Sequence, residues 1–389
     1  MVTEIILALL IPLAAWAGWW LARHLSRRNE RKRNRVFTGR YFQGLNYLLN
    51  EQPDKAIQVF LEMAEVNKDT VETHLALGSL FRRRGEVDRA IRLHQNIISK
   101  HNLDDEQRTK ALLELGEDYM RAGLFDRAER LFSELTQRDD HAPEALKSLL
   151  EIYQQEKDWE KALDKARQLE EISGSKMGVI MAHFCCELAE ESLAAGEPEV
   201  ARKHLRKARR LDPQSVRPRL VLAKIASQGG QPTEAMDVYE EVVDLDGDYL
   251  PQLLEDYLDC AQAAGEVQRA EQRLFDWCER YSSISVILRL TDIIRDRDGI
   301  DPAARFLAGE LARNPTVKGL DRLIELKLDG GPDIESGDEI LRAVARKLLA
   351  RQPTHRCSHC GYSGHTHYWQ CPSCKQWSTT RVIHGVLGE

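Results

Sequence analysis

The sequence predicts an all-α solenoid of stacked helix pairs, with one apolar span before it and a small four-cysteine knuckle after it. Three observations predict this. An alanine recurs five positions after a turn residue, at a spacing near 34 residues. Eighteen uncharged residues, Ile5 to Ala22, stand near the N-terminus. Two Cys-x-x-Cys pairs, Cys357/Cys360 and Cys371/Cys374, stand near the C-terminus.

Composition sets the frame. The 389 residues are 42% hydrophobic and 30% charged, with only 24 Gly and 13 Pro, which describes a folded body rich in helix formers. The net charge of -7 hides an asymmetry: residues 1–40 carry eight Lys/Arg against two Glu, leaving 47 basic and 60 acidic residues in the remainder. An acidic body is a poor ligand for polyphosphate backbones, so no nucleic acid partner is expected. Of the eight cysteines, four form the knuckle, while Cys185, Cys186, Cys260 and Cys278 are scattered through helical stretches. That division reads as buried thiols plus a metal site in a reducing compartment, and not as a disulfide framework.

The apolar run comes first along the chain. As a helix rising about 1.5 Å per residue it spans roughly 27 Å, the thickness of a bilayer core. Trp16, Trp19 and Trp20 gather towards one end, where aromatic rings favour the membrane–water interface. A cleaved signal peptide needs positive charge before the run, but here only Glu4 precedes it and seven basic residues follow within thirteen positions. Residues 1–22 are therefore expected to be an uncleaved single-pass anchor, N-terminus outside and C-terminus in the cytoplasm. The basic segment 23–36 suits anionic lipid headgroups.

The repeats follow. The signature alanines are Ala56, Ala90, Ala128, Ala162, Ala201, Ala235, Ala270 and Ala304, at intervals of 34, 38, 34, 39, 34, 35 and 34. A period of 34 is that of the tetratricopeptide helix–turn–helix unit, so residues 37–318 read as eight such repeats. Gly85, Gly123, Gly196 and Gly265 precede the alanines, where the first helix of each pair must end. Twelve residues before the alanines stand small residues (Gly44, Gly78, Gly116, Ala189, Ala223), and four after stand Phe60, Phe132 and Tyr239. The longer intervals imply insertions near 105–108 and 177–181. Residues 319–350 read as a degenerate ninth unit or capping helix pair.

The scaffold absorbs several other signals. Asp244 to Tyr249 (DLDGDY) has Asp at alternate positions like a calcium loop, but Tyr249 occupies the sixth place, where glycine is needed. Adjacent Cys185 and Cys186 point in different directions on a helix, which argues against a redox pair. Arg82 to Arg84 read as a solvated edge, with Arg83 placed to meet an acidic partner. No phosphate-cradling loop, His-Glu-x-x-His or nucleophile elbow is found, so no catalytic residue is assigned and the protein is expected not to be an enzyme.

The knuckle, residues 351–389, carries the one chemical site. Cys357, Cys360, Cys371 and Cys374 supply four thiolates, the set that tetrahedral zinc or iron prefers. Zinc is the expected ion because it needs no redox partner, and four thiolates close its shell against catalysis. His355, His359, His365 and His367 surround the ligands as surface or supporting groups. Tyr362, Tyr368, Trp369 and Trp377 read as the small fold's substitute core. The competing reading stacks those rings on RNA bases beside Arg351, Arg356, Lys375 and Arg381, making a membrane-tethered RNA- or ribosome-binding scaffold. A redox sensor with labile cysteines is a third.

The cysteine turns CSHCGY and CPSC resemble rubredoxin knuckles. Together with LFRRRGEVDRAIRLHQ (Leu80 to Gln95), DYMRAGLFDRAERLF (Asp118 to Phe132) and AHFCCELA (Ala182 to Ala189), the chain resembles the lipopolysaccharide assembly protein B (LapB) family of Gram-negative bacteria. The resemblance implies a tetratricopeptide solenoid with a rubredoxin-like zinc ribbon, held at the cytoplasmic face of the inner membrane by one transmembrane helix. It also implies a non-enzymatic adaptor that helps the membrane protease FtsH degrade the lipid A precursor deacetylase LpxC. FtsH, LpxC, inner-membrane lipids and other lipopolysaccharide assembly proteins are the partners it implies.

Overall fold

The computed structural model describes residues 71–100, 103–137, 141–329 and 336–389, the side chains of 336–338 excepted, with a few isolated residues between 43 and 59. The predicted span at 1–22, the basic segment at 23–36 and most of the first repeat lie outside the described residues. Among the described residues no helix is long and apolar enough to cross a membrane. The chain divides into two compact units, residues 1–156 and 157–389.

In the first unit α1 (Val71–Arg83), α2 (Val87–Ile98), α3 (Asp105–Arg121), α4 (Phe125–Leu135) and α5 (Ala142–Glu156) each pack on the next. The pairs close at glycine. A Cβ added to Gly78 would stand 2.2 Å from the His94 ring, and one at Gly116 would stand 2.5 Å from Phe132. The small residue twelve before the alanine and the ring four after it are thus two sides of one contact. Between pairs, Gln95 on α2 donates to the Tyr119 hydroxyl at 3.0 Å, and the Tyr153 hydroxyl donates to Glu129 on α4 at 2.7 Å. Buried Asp118 ties the first two described pairs together, meeting His94 Nδ1 at 2.5 Å and Arg82 at 2.7 Å.

In the second unit come α6 (Trp159–Ser173), α7 (Gly178–Ala194), α8 (Pro198–Leu211), α9 (Arg217–Gln228), α10 (Pro232–Leu245), a 3-10 turn at Gly247–Tyr249, and α11 (Leu250–Ala264). Then follow α12 (Val267–Tyr281), α13 (Ile284–Asp298), α14 (Ile300–Arg313), α15 (Val317–Asp329) and α16 (Ser336–Arg351). One apolar core runs from Val216 to Leu326, and Trp369 of the knuckle packs against it.

The alanine signature has a structural meaning: it is the fourth residue of α2, α4, α6, α8, α10 and α12, and Ala90, Ala128, Ala162, Ala201 and Ala235 are fully buried there. The eighth unit corrects the sequence register. Helix α14 starts one residue after its turn glycine, Gly299, where α2, α4, α8 and α12 start two after theirs. The fourth helical position therefore falls on Ala303, which is fully buried, while Ala304 is only half-buried. The two insertions do not loop out. They sit at the starts of α3 and α7, both 17 residues long, so each adds about one helical turn. The predicted turn glycines take positive φ, 82° at Gly85 and 72° at Gly123; Lys157 occupies the corresponding place before Ala162 at φ 60°.

Candidate metal centre and its seat on the repeats

The knuckle is three short antiparallel strands in the order β2–β1–β3: β1 (His355–Cys357), β2 (Ser363–Gly364) and β3 (Thr380–Val382). Each Cys-x-x-Cys turn closes in the same way. The residue after the pair is left-handed, Gly361 at φ 78° and Lys375 at φ 58°, and donates its N–H to the carbonyl of the first cysteine at 3.0 and 2.9 Å. That geometry converges two sulfurs per turn and brings the turns face to face.

All four sulfurs lie within 4.8 Å of one another. Cys357 and Cys374 are 3.8 Å apart, and Cys360 and Cys371 are 3.7 Å apart. Four sulfurs at the usual ~2.3 Å from one ion define a tetrahedron with edges of about 3.8 Å, so the donor set fits a tetrahedral metal. Hydrogen bonding with the Thr379 hydroxyl, then the Cys360 N–H, pulls the Cys357 thiol down to about 6. At Cys374 the Gln376 N–H acts the same way but is outweighed by burial and the three neighbouring sulfurs, which push it up to about 12. Packed sulfurs of this kind ionise together only around a cation. Among the described residues this is the one group of His, Cys, Asp or Glu side chains gathered closely enough for a common ion. The neighbouring histidines stay outside it: His355 contacts His367 edge-on at 5.7 Å, and His367 contacts Trp369 at 4.5 Å.

The knuckle is seated on the helices of the second unit. Trp377 stacks on His183 of α7 at 4.7 Å and meets Trp159 and Phe184 edge-on at 6.3 and 6.0 Å. Ser378 Oγ is 2.6 Å from His183 Nε2. Trp369 stacks on Tyr249 at 5.6 Å. Between the two indoles lies the Arg217 guanidinium, 5.6 Å from one ring and 6.0 Å from the other. Burial opposes its charge, but Glu187 and Glu190, at 2.8 and 2.9 Å, outweigh that. Arg381 reaches Asp246 at 2.5 Å and His384 reaches Asp248 at 2.9 Å. The tail follows: the Glu389 carboxylate accepts from the Ser285 N–H and hydroxyl at 3.1 and 2.8 Å and from Lys318 at 2.8 Å.

Several residues singled out in the sequence take unforeseen roles. Two acids of the calcium-like stretch, Asp246 and Asp248, are docking partners that hold the knuckle, while Asp244 pairs with Arg280 of α12 at 3.0 Å. Trp369 and Trp377 are shared with the repeats and do not close a core private to the knuckle; Tyr362 and Tyr368 stay exposed. Cys185 and Cys186 are fully buried, and burial raises their thiols to about 11 and about 12, which makes them inert core residues. His183 and Arg217 escaped the sequence reading, because a polar residue inside a helical repeat has no local mark of facing another module.

Two grooves run along the first helices. In the second unit a cavity of about 540 Å³ is lined by Leu193, Arg217, Leu220, Lys224 and Asp256, with Trp369 of the knuckle as one wall. In the first unit a cavity of the same volume is lined by Arg82, Arg83, Arg121, Glu117 and Glu151. Arg83 is exposed there, whereas Arg82 is committed to Glu114 and Asp118.

Comparison with known proteins agrees with this architecture. The rubredoxin metal binding domain family matches residues 355–381, and tetratricopeptide repeat families match 73–108, 113–175 and 192–255. Over 385 residues the chain is 36% identical to lipopolysaccharide assembly protein B of Escherichia coli (strain K12), covering 98% of this chain and 99% of that protein. It is 32% identical to the protein of the same name from Haemophilus influenzae (strain Rd), covering 97% and 98%.

Proposed function

Because the chain belongs to the lipopolysaccharide assembly protein B family, we propose that it is a non-enzymatic adaptor at the cytoplasmic face of the inner membrane, promoting FtsH-dependent proteolysis of LpxC and so limiting lipopolysaccharide synthesis. Residues 1–22 would anchor it beside the protease, and the repeats would present the client. The observation that carries the reading is the seating of the four-thiolate knuckle on the repeats: Trp369 walls the groove of the second unit, so a bound metal shapes a docking surface. Zinc is the ion we assign to Cys357, Cys360, Cys371 and Cys374, since a closed thiolate shell in this role needs stability and no electron transfer.

The RNA-binding alternative loses two of its rings and Arg381 to the repeats, which favours the adaptor. The test is the steady-state level of LpxC in cells carrying wild type, no copy, or Cys371→Ser with Cys374→Ser. The adaptor reading expects LpxC to accumulate in the last two, with one zinc per chain in purified wild type and helical content retained in the mutant. Normal LpxC levels in the cysteine mutant would remove the metal from the function. Iron in place of zinc would return the redox reading.

A further inference from the structure

Helix α16 turns two arginines inward and a row of apolar residues outward. Towards α15, Arg342 pairs with Glu325 and, at 3.6 Å, with Asp321, while Arg346 meets Asp321 at 3.5 Å; Ala345 is buried between them. The outward face carries Ile340, Leu341, Val344 and Leu348, each 45–64% exposed. At about 100° per residue these four fall in one sector roughly 100° wide. Lys347 is exposed at one border of this sector and Arg351 is exposed at its C-terminal end, while Glu339 lies on the far side of the helix.

A terminal solenoid unit ordinarily ends in a polar face, because an apolar one recruits a further layer. What covers this face must be apolar and must favour positive charge at its rim. A second copy of the chain, paired stripe to stripe, would bring another Lys347 and Arg351 to the same interface and offer no exposed acid from that stripe to meet them. An anionic bilayer surface takes the aliphatic residues between acyl chains and leaves the basic side chains among the headgroups. We propose that α16 is an interfacial helix that lies on anionic lipid, a contact separate from the apolar run at 5–22; it rests on the adaptor reading only in having a membrane at hand.

Full-length protein in nanodiscs of phosphatidylcholine, with and without phosphatidylglycerol, is compared with protein in zwitterionic detergent by amide hydrogen exchange. Residues 340–348 should exchange at least about tenfold more slowly in the phosphatidylglycerol discs than in the other two environments. Val344→Glu with Leu348→Glu should abolish that protection. Lys347→Glu with Arg351→Glu should remove the preference for phosphatidylglycerol, and both variants should leave α15 and the knuckle unchanged. Absence of protection, or protection that is equal in all three environments and grows with protein concentration, overturns the proposal, the latter in favour of self-association. Failure to co-elute with discs would count against the anchor alone; the same amides are then read on the soluble chain with phosphatidylglycerol vesicles added.

Discussion

Acidification should loosen the knuckle from its seat through His183. Burial first, then the Arg217 charge and His367, holds this imidazole at about 3, far below its ordinary 6.5. Docked, His183 stays neutral through the mildly acid range; undocked, it takes a proton once the pH falls below about 6.5. The undocked state then binds more protons, so docking is strongest above that pH and weakens from there down towards 3. Between pH 7 and pH 5 the undocked ring gains about 2 kcal/mol by protonation, roughly 25-fold in the docking equilibrium. His367, held down to about 4 by burial and by His355, Arg381 and Arg217, acts in the same direction. Glu389 does not enter this window: burial opposes its charge, but Lys318 and Ser285 outweigh that and keep it depressed, so its contribution fades only below the ordinary carboxylate range. The assay is tryptophan emission together with amide exchange across 357–382, comparing wild type with His183→Phe, which keeps a flat ring under Trp377 and removes the proton site. Acid also releases metal from thiolates, but the four cysteines are the same in both proteins, so the difference isolates the histidine. The variant should lose less docking between pH 7 and pH 5. If the two proteins undock in parallel, His183 is not the group through which acid acts.

Gly116→Ala should lower the thermal stability of the first unit by about 1–3 kcal/mol, because its Cβ meets the buried Phe132 ring; an unchanged melt would mean the ring moves aside freely. Lys157→Gly should raise stability by about 1 kcal/mol in chemical denaturation, since the backbone there is left-handed at φ 60°; a loss would mean that the lysine side chain contributes more than the strain. Arg381→Asp should speed amide exchange in β3, and adding Asp246→Arg should restore it. The half-exposed pair limits the effect to about 1 kcal/mol, and failure of the double variant to recover would assign the seat to the rings alone.

The repeats were legible because period, turn glycine and buried alanine are local facts about one helix pair. Among the described repeats the register slipped only at Ala304, where a turn shorter by one residue moved the buried position to Ala303. The cysteines were legible because two residues between ligands is the reach of one turn. The seat was not legible. Asp246 and Asp248 carry alternate-acid spacing that serves calcium loops and docking edges equally well, and Trp377 would satisfy a private core, a base or a repeat by the same chemistry. His183 and Ser378 are 195 residues apart, and nothing in either neighbourhood names the other. Short-range patterns identify modules, whereas the contacts between modules depend on which surfaces meet.

That separation has a consequence for how the second unit holds together. In a simple stack each pair feels only its neighbours, and the ends fray one pair at a time. Here the last residues of the sequence return to α7, to the turn before α11 and to α13 and α15. A break between any two of those layers must also break the knuckle's hold, so graded fraying gives way to a concerted transition. The cost is kinetic: bringing such distant segments together comes late and slowly in folding. A metal held by the four cysteines would fix the knuckle's shape, and its arrival would then time the moment at which the whole unit locks.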